Sequence, residues 1–95
     1  MESIERSGID IATETFGSCS DPCLLLIMGA TASMLSWPDT LCRRLADAGL
    51  YVVRFDHRDT GASTTVPPGE ADYSVEDMAG DVISILNRLG VDRAH

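Results

Sequence analysis

The stretch VVRFDHRDTGAST, residues Val52–Thr64, opens as a short apolar run interrupted by Arg54. It then passes at once into Asp56, His57, Arg58 and Asp59, and on to Gly61, Ala62 and Ser63. Such a pattern reads as a buried strand that ends in a polar loop. The loop holds the residue types of a Ser-His-Asp triad (Ser63, His57, and Asp56 or Asp59). A triad, however, needs its Ser and Asp on opposite nitrogens of the imidazole, each held by a different part of a packed scaffold. Residues this close along one turn do not converge that way. The expectation is therefore a structured loop at a strand's end, and the flanking sequence decides what it serves.

Upstream, Cys23–Gly29 (CLLLIMG) is a continuous apolar run of the kind found in strands covered on both faces, which predicts a central strand of a parallel sheet. Between it and Leu50–Phe55 lies SWPDTLCRRLADAGL. Ser36 as N-cap, Pro38 in the first turn, Asp39 three residues after the cap and Gly49 as a stop predict a helix over 36–49. Trp37, Leu41, Leu45 and Ala48 line one of its faces. Downstream, Ser74 and Asp77 form a second capping-box signal. The apolar stripe of Val75, Met78, Val82, Ile85, Leu86 and Leu89 then runs to Gly90. At the N-terminus, Ile4–Phe16 suggests two short strands around the turn Ser7–Asp10, with Ile9, Ile11 and Thr13 alternating against Asp10, Ala12 and Glu14. Two strands followed by strand, helix, strand and helix argue for an α/β fold with a parallel sheet and right-handed crossovers. After Gly90 the order calls for another strand, so residues 1–95 read as the N-terminal segment of one domain.

Composition narrows the function classes. Fifteen acidic residues oppose seven basic ones, all Arg, for a net charge of -8, which disfavours binding to nucleic acid or an anionic membrane. No apolar run approaches bilayer-spanning length and the start is polar, so a cytoplasmic location and no membrane partner are expected. Cys19, Cys23 and Cys42 lack metal-ligand spacing and read as reduced, mostly buried thiols, with no metal or cofactor implied.

The turn Met28-Gly29-Ala30-Thr31-Ala32-Ser33 follows the first buried strand, where backbone N–H groups can point into the crevice at the strand ends. It matches neither phosphate-binding glycine pattern, and the chain has no Lys. Either an oxyanion-binding turn or a plain connection between strand and helix fits these residues.

FDHRDTGAS resembles the D-x-R-G-x-G-x-S loop of α/β-hydrolases, with Asp56, Arg58, Gly61 and Ser63 on its positions and Asp59 where Gly is commoner. LLLIMG, LADAGLYVVRFDHRDTG and DMAGDVISILNRLGVDRAH match that superfamily's successive segments in order, so the resemblance covers nearly the whole chain. MGATASMLSWPD and FDHRDTGAST look most like the bacterial subgroup that includes the anthracycline (aclacinomycin) methylesterases.

The resemblance implies an α/β-hydrolase fold and hydrolysis of a small-molecule carboxylic ester through a covalent acyl-enzyme. The family's His-Gly-x turn falls on Met28, Gly29 and Ala30. Ala30 would donate its backbone N–H to the oxyanion, Met28 replaces the His, and Met28, Gly29 and Thr31 would lie near substrate. Asp56, Arg58, Gly61 and Ser63 would shape the neighbouring loop. The nucleophile belongs on a G-x-S-x-G elbow after the next strand, with its acid and His later still, and residues 1–95 contain none of these. His95 falls on a frequent packing position before that strand. Trp37 reads as a packing anchor or a pocket wall, and Met28 and Met34 as gap-fillers or substrate contacts. An Asp nucleophile, giving dehalogenase or epoxide hydrolase chemistry, stays open, as do the oligomeric state and a non-catalytic binding fragment.

Overall fold

The computed structural model describes residues 2–6, 9–28, 33–58, 63 and 75–95. Among these residues four strands form one sheet in the order β1-β2-β4-β3: β1 (Glu2–Arg6), β2 (Ile9–Phe16), β3 (Cys23–Leu26) and β4 (Tyr51–Phe55). β1 and β2 pair antiparallel, as do β2 and β4. β3 and β4 are parallel, with Cys23 opposite Tyr51 and Leu26 opposite Arg54. The parallel pair joined through a helix is as expected from two buried-type runs flanking a capped segment. The N-terminal hairpin also forms, although Ile9 and Asp10 belong to β2 itself.

Alternate residues of the parallel pair feed two apolar cores. Cys23, Tyr51, Val53 and Phe55 join Ile4, Ile11 and the fully buried Ile85 of α2 (Val75–Arg88), with Leu25, Val82, Leu86 and Leu89 packed around them. Leu26 and Val52 face the other way and meet Cys42 of α1 (Asp39–Asp47), with Trp37 and Leu45 alongside. Both faces of the pair are therefore covered, which explains why apolar residues occupy successive positions in both strands. Burying a side chain such as Phe55 or Ile85 contributes about 1.5–3 kcal/mol.

Three expectations need correction. α1 begins at Asp39, not near Ser36, because Trp37 precedes a proline and is pushed to extended backbone (φ -90, ψ 99). Pro38 is the N-cap, and Ser36 lies in a separate 3-10 turn, Met34–Ser36, capped by Ser33. Ala12 is buried although the alternation placed it outward, since it lies under the loop after β4. Among the described residues, β3 is the last strand in the order rather than a central one. Its outer edge is nevertheless engaged: Cys23 bridges Ala94 in parallel, the Leu25 N–H donates to the His95 carbonyl at 2.8 Å, and the His95 N–H donates to the Cys23 carbonyl at 2.9 Å. His95 thus contributes main chain rather than packing, and its side chain is exposed.

Both helices stop where the sequence placed glycine. Gly49 (φ 95) and Gly90 (φ 72) occupy left-handed backbone, and the next residues, Leu50 and Val91, donate back to the carbonyls of Leu45 and Leu86. The capping residue Ser74 lies outside the described residues.

Candidate active-site loops

Because β3 and β4 are adjacent and parallel, the segments leaving their C-terminal ends emerge on the same edge of the sheet, where ligands of open α/β sheets bind. Met28 follows β3 there, and Asp56 and His57 follow β4. The charged stretch after β4 is mostly interior: Asp56 and His57 are buried, as is Ser63. A buried polar group without a partner is costly, so each partner shows how the loop is held.

Asp56 is gripped at three points. Its N–H donates to the Ala12 carbonyl at 3.0 Å, its Oδ1 accepts from the Met34 N–H at 2.6 Å, and its carbonyl accepts from Ser63 Oγ at 2.6 Å. Ser63 Oγ in turn accepts from the Ala12 N–H at 2.9 Å. One serine thus links the backbone of β2 to that of the loop. His57 places Nε2 2.8 Å from the Met28 carbonyl and meets the Phe55 ring edge-on, with centroids 5.1 Å apart. Ser63 and His57 turn to different partners, so the local Ser-His-Asp triad is not assembled.

Arg58 leaves the cluster and forms a two-pronged ion pair with Asp81 of α2, both contacts at 2.8 Å. Asp81 is 2% exposed, and a fork of this kind is the strong form of a carboxylate contact. The sequence reading passed over Asp81. Its signal was present: position 81 falls between Met78 and Ile85 on the apolar face of α2, where an acid needs a buried cation.

Arg54, which looked like an interruption of β4, is 1% exposed and organises the opposite face. It donates to the Trp37 carbonyl at 2.5 Å, to Glu14 at 2.9 Å and to Asp39 at 2.5 Å, and lies over the Phe16 ring at 5.1 Å. Burial works against its charge, but the bonds to Asp39 and Glu14 and their negative charges outweigh that, holding the guanidinium above its ordinary range. Arg54 thereby ties β2 and the start of α1 to β4.

Of the residues singled out from sequence, Met28 is half-buried at the end of β3, and Asp56 and Ser63 share one hydrogen-bonded cluster, whereas Arg58 is directed to α2. Gly29, Ala30, Thr31 and Gly61 lie outside the described residues. Met34 is buried, and Trp37 is half-buried against the α1-side core. Among the described residues, no three His, Cys, Asp or Glu side chains converge as metal ligands. In the same residues, no helix is long and apolar enough to cross a membrane.

No protein-family model matches the chain. A hydrolase from Pseudomonas aeruginosa PA01 superposes on 99% of the chain with a TM-score of 0.84 and 32% identity, the chain covering 34% of that structure. Residues 1–95 have the N-terminal part of the α/β-hydrolase fold. Among curated proteins, this hydrolase-fold chain is 38% identical over 92 residues to rhodomycin D methylesterase DauP of Streptomyces sp. strain C5. It is 37% identical over 92 residues to rhodomycin D methylesterase DnrP of Streptomyces peucetius. Each match takes in 97% of the chain and 31% of the relative, so the chain spans about a third of the length of these proteins.

Proposed function

We propose that residues 1–95 are the N-terminal third of a single-domain serine hydrolase that cleaves a small-molecule carboxylic ester, with the domain's nucleophile-elbow strand following His95. The observation that carries this reading is the 38% identity to a methylesterase across 92 residues, a span that includes both loops at the C-terminal ends of β3 and β4. The pairing of Ala94 and His95 with the outer edge of β3 supports it, because a parallel strand continuing from there would end at the same crevice.

In this reading the backbone N–H of Ala30 donates to the oxyanion, and Met28, Gly29 and Thr31 border the substrate. Asp56, Arg58, Gly61 and Ser63 shape the loop beside them. A preorganised donor acts where charge develops, so removing one costs about 10²–10³ in rate. The nucleophile, its acid and its base come from later sequence, and the Ser attacks the ester carbonyl to form an acyl-enzyme.

The test is expression of the complete protein with an assay on small methyl and aryl esters, followed by labelling with an organophosphonate. Ester turnover, a labelled Ser beyond residue 95, and a fall of about 10²–10³ in kcat for Ala30→Pro, which has no N–H to donate, are expected. Absence of ester turnover, or epoxide opening through an Asp nucleophile, would overturn the proposal.

A further inference from the structure

Two consecutive residues after β4 hold Met28, just past β3, and Met34, which opens the 3-10 turn before α1. The Met28 carbonyl meets His57 Nε2 at 2.8 Å, and the Met34 N–H donates to Asp56 Oδ1 at 2.6 Å. A carbonyl oxygen carries no proton, so Nε2 must carry the one that is shared. His57 is 6% exposed, and its Nδ1 is buried without a hydrogen-bond partner among the described residues. The ring's one polar contact among those residues is therefore Met28. The T-shaped contact with Phe55 holds the imidazole plane, and the Ala12 and Ser63 bonds hold the Asp56 backbone.

We infer that His57 is a positioning residue: with Asp56 it sets where the chain leaves β3 at Met28 and where it resumes at Met34. This inference rests on the ester-hydrolase reading for its catalytic consequence but not for its geometry. Position 28 is Met, whose side chain carries no hydrogen-bond donor that could anchor the start of this segment. His57 supplies a donor to the Met28 carbonyl from the segment that follows β4.

The experiment uses the complete protein with wild-type, His57→Phe and His57→Gln sequences. Phe keeps a ring against Phe55 and removes the donor, whereas Gln retains an N–H donor near the Nε2 position. His57→Phe is expected to lower kcat on a small methyl ester by roughly 10- to 100-fold with little change in KM, since small displacements of a catalytic donor have effects of that size. His57→Gln should recover most of the loss. In parallel, long-range proton–nitrogen NMR of 15N-histidine-labelled wild type should show His57 carrying a proton on Nε2 and none on Nδ1. A wild-type kcat in His57→Phe, equal losses in both variants, or an Nδ1–H tautomer would overturn the inference. If the complete protein hydrolyses no ester, the functional proposal fails, while the tautomer still decides whether His57 holds Met28. The tautomer likewise decides if His57→Phe does not fold.

Discussion

Cys42 is fully buried between α1 and the sheet, Cys23 is 4% exposed, and Cys19 lies exposed in the loop before β3. Burial pushes the thiols of Cys23 and Cys42 above the ordinary value of 9.0, and for Cys42 the nearby Arg54 charge opposes this without reversing it. Above that ordinary value the folded state holds thiol protons that the unfolded chain releases. Stability from these groups is thus complete below pH 9.0 and declines as pH rises from there through the raised folded values. The urea midpoint of the complete protein should be lower at pH 10 than at pH 8, and a Cys23→Ala, Cys42→Ala variant should lose less over the same interval. An equal decline in the variant would refute the assignment. Alkylation at pH 8 followed by mass spectrometry should modify Cys19 first, the other two waiting on unfolding.

Among the elements, the end of β2 and the end of α1 meet at glycine in different ways. Gly17 has φ +91, and a Cβ built on it would lie 2.5 Å from the Leu50 carbonyl oxygen and 3.1 Å from the Ala46 side chain. Gly49 has a similar φ of +95, but a Cβ there would meet open space. Gly49→Ala pays only for left-handed backbone, about 1–2 kcal/mol. Gly17→Ala adds a clash with main chain that cannot rotate away, and a loss of about 3 kcal/mol or more is expected. Chemical denaturation of the two variants checks the order, and equal losses would show that the approach of β2 to Leu50 relaxes freely.

At the scale of the whole molecule, β3 is the last strand of the sheet among the described residues, and its outer edge is only partly paired. The outer edge of β3 is engaged by the short stretch at Ala94 and His95, and Ile27 just beyond β3 is 51% exposed. A sheet edge with unpaired backbone and apolar faces is a template for association. Residues 1–95 produced alone should therefore sediment as oligomers or aggregate, melt without a sharp transition, and show no turnover of a short-chain aryl ester above background. A soluble monomer with a cooperative melt would contradict the structural half of this expectation. Turnover abolished by Ser63→Ala would contradict the other half, since Ser63 is committed to the Ala12 and Asp56 backbones.

Local physics made much of this fold legible before any coordinates. Apolar runs at Cys23 and Tyr51 required cover on two faces, and glycines at 49 and 90 stopped helices because left-handed backbone suits a residue without Cβ. The restriction Pro38 puts on Trp37 moves the helix start a few residues past Ser36, to Asp39. The contacts across long sequence separations were not legible. Arg54 reaching Glu14, Arg58 reaching Asp81, and His57 reaching Met28 each join segments 23 to 40 residues apart. A polar residue announces that it needs a partner when buried, but not which one. Only the packing of β4 between β2 and β3, with a helix on each face, decides which donors and acceptors come within reach.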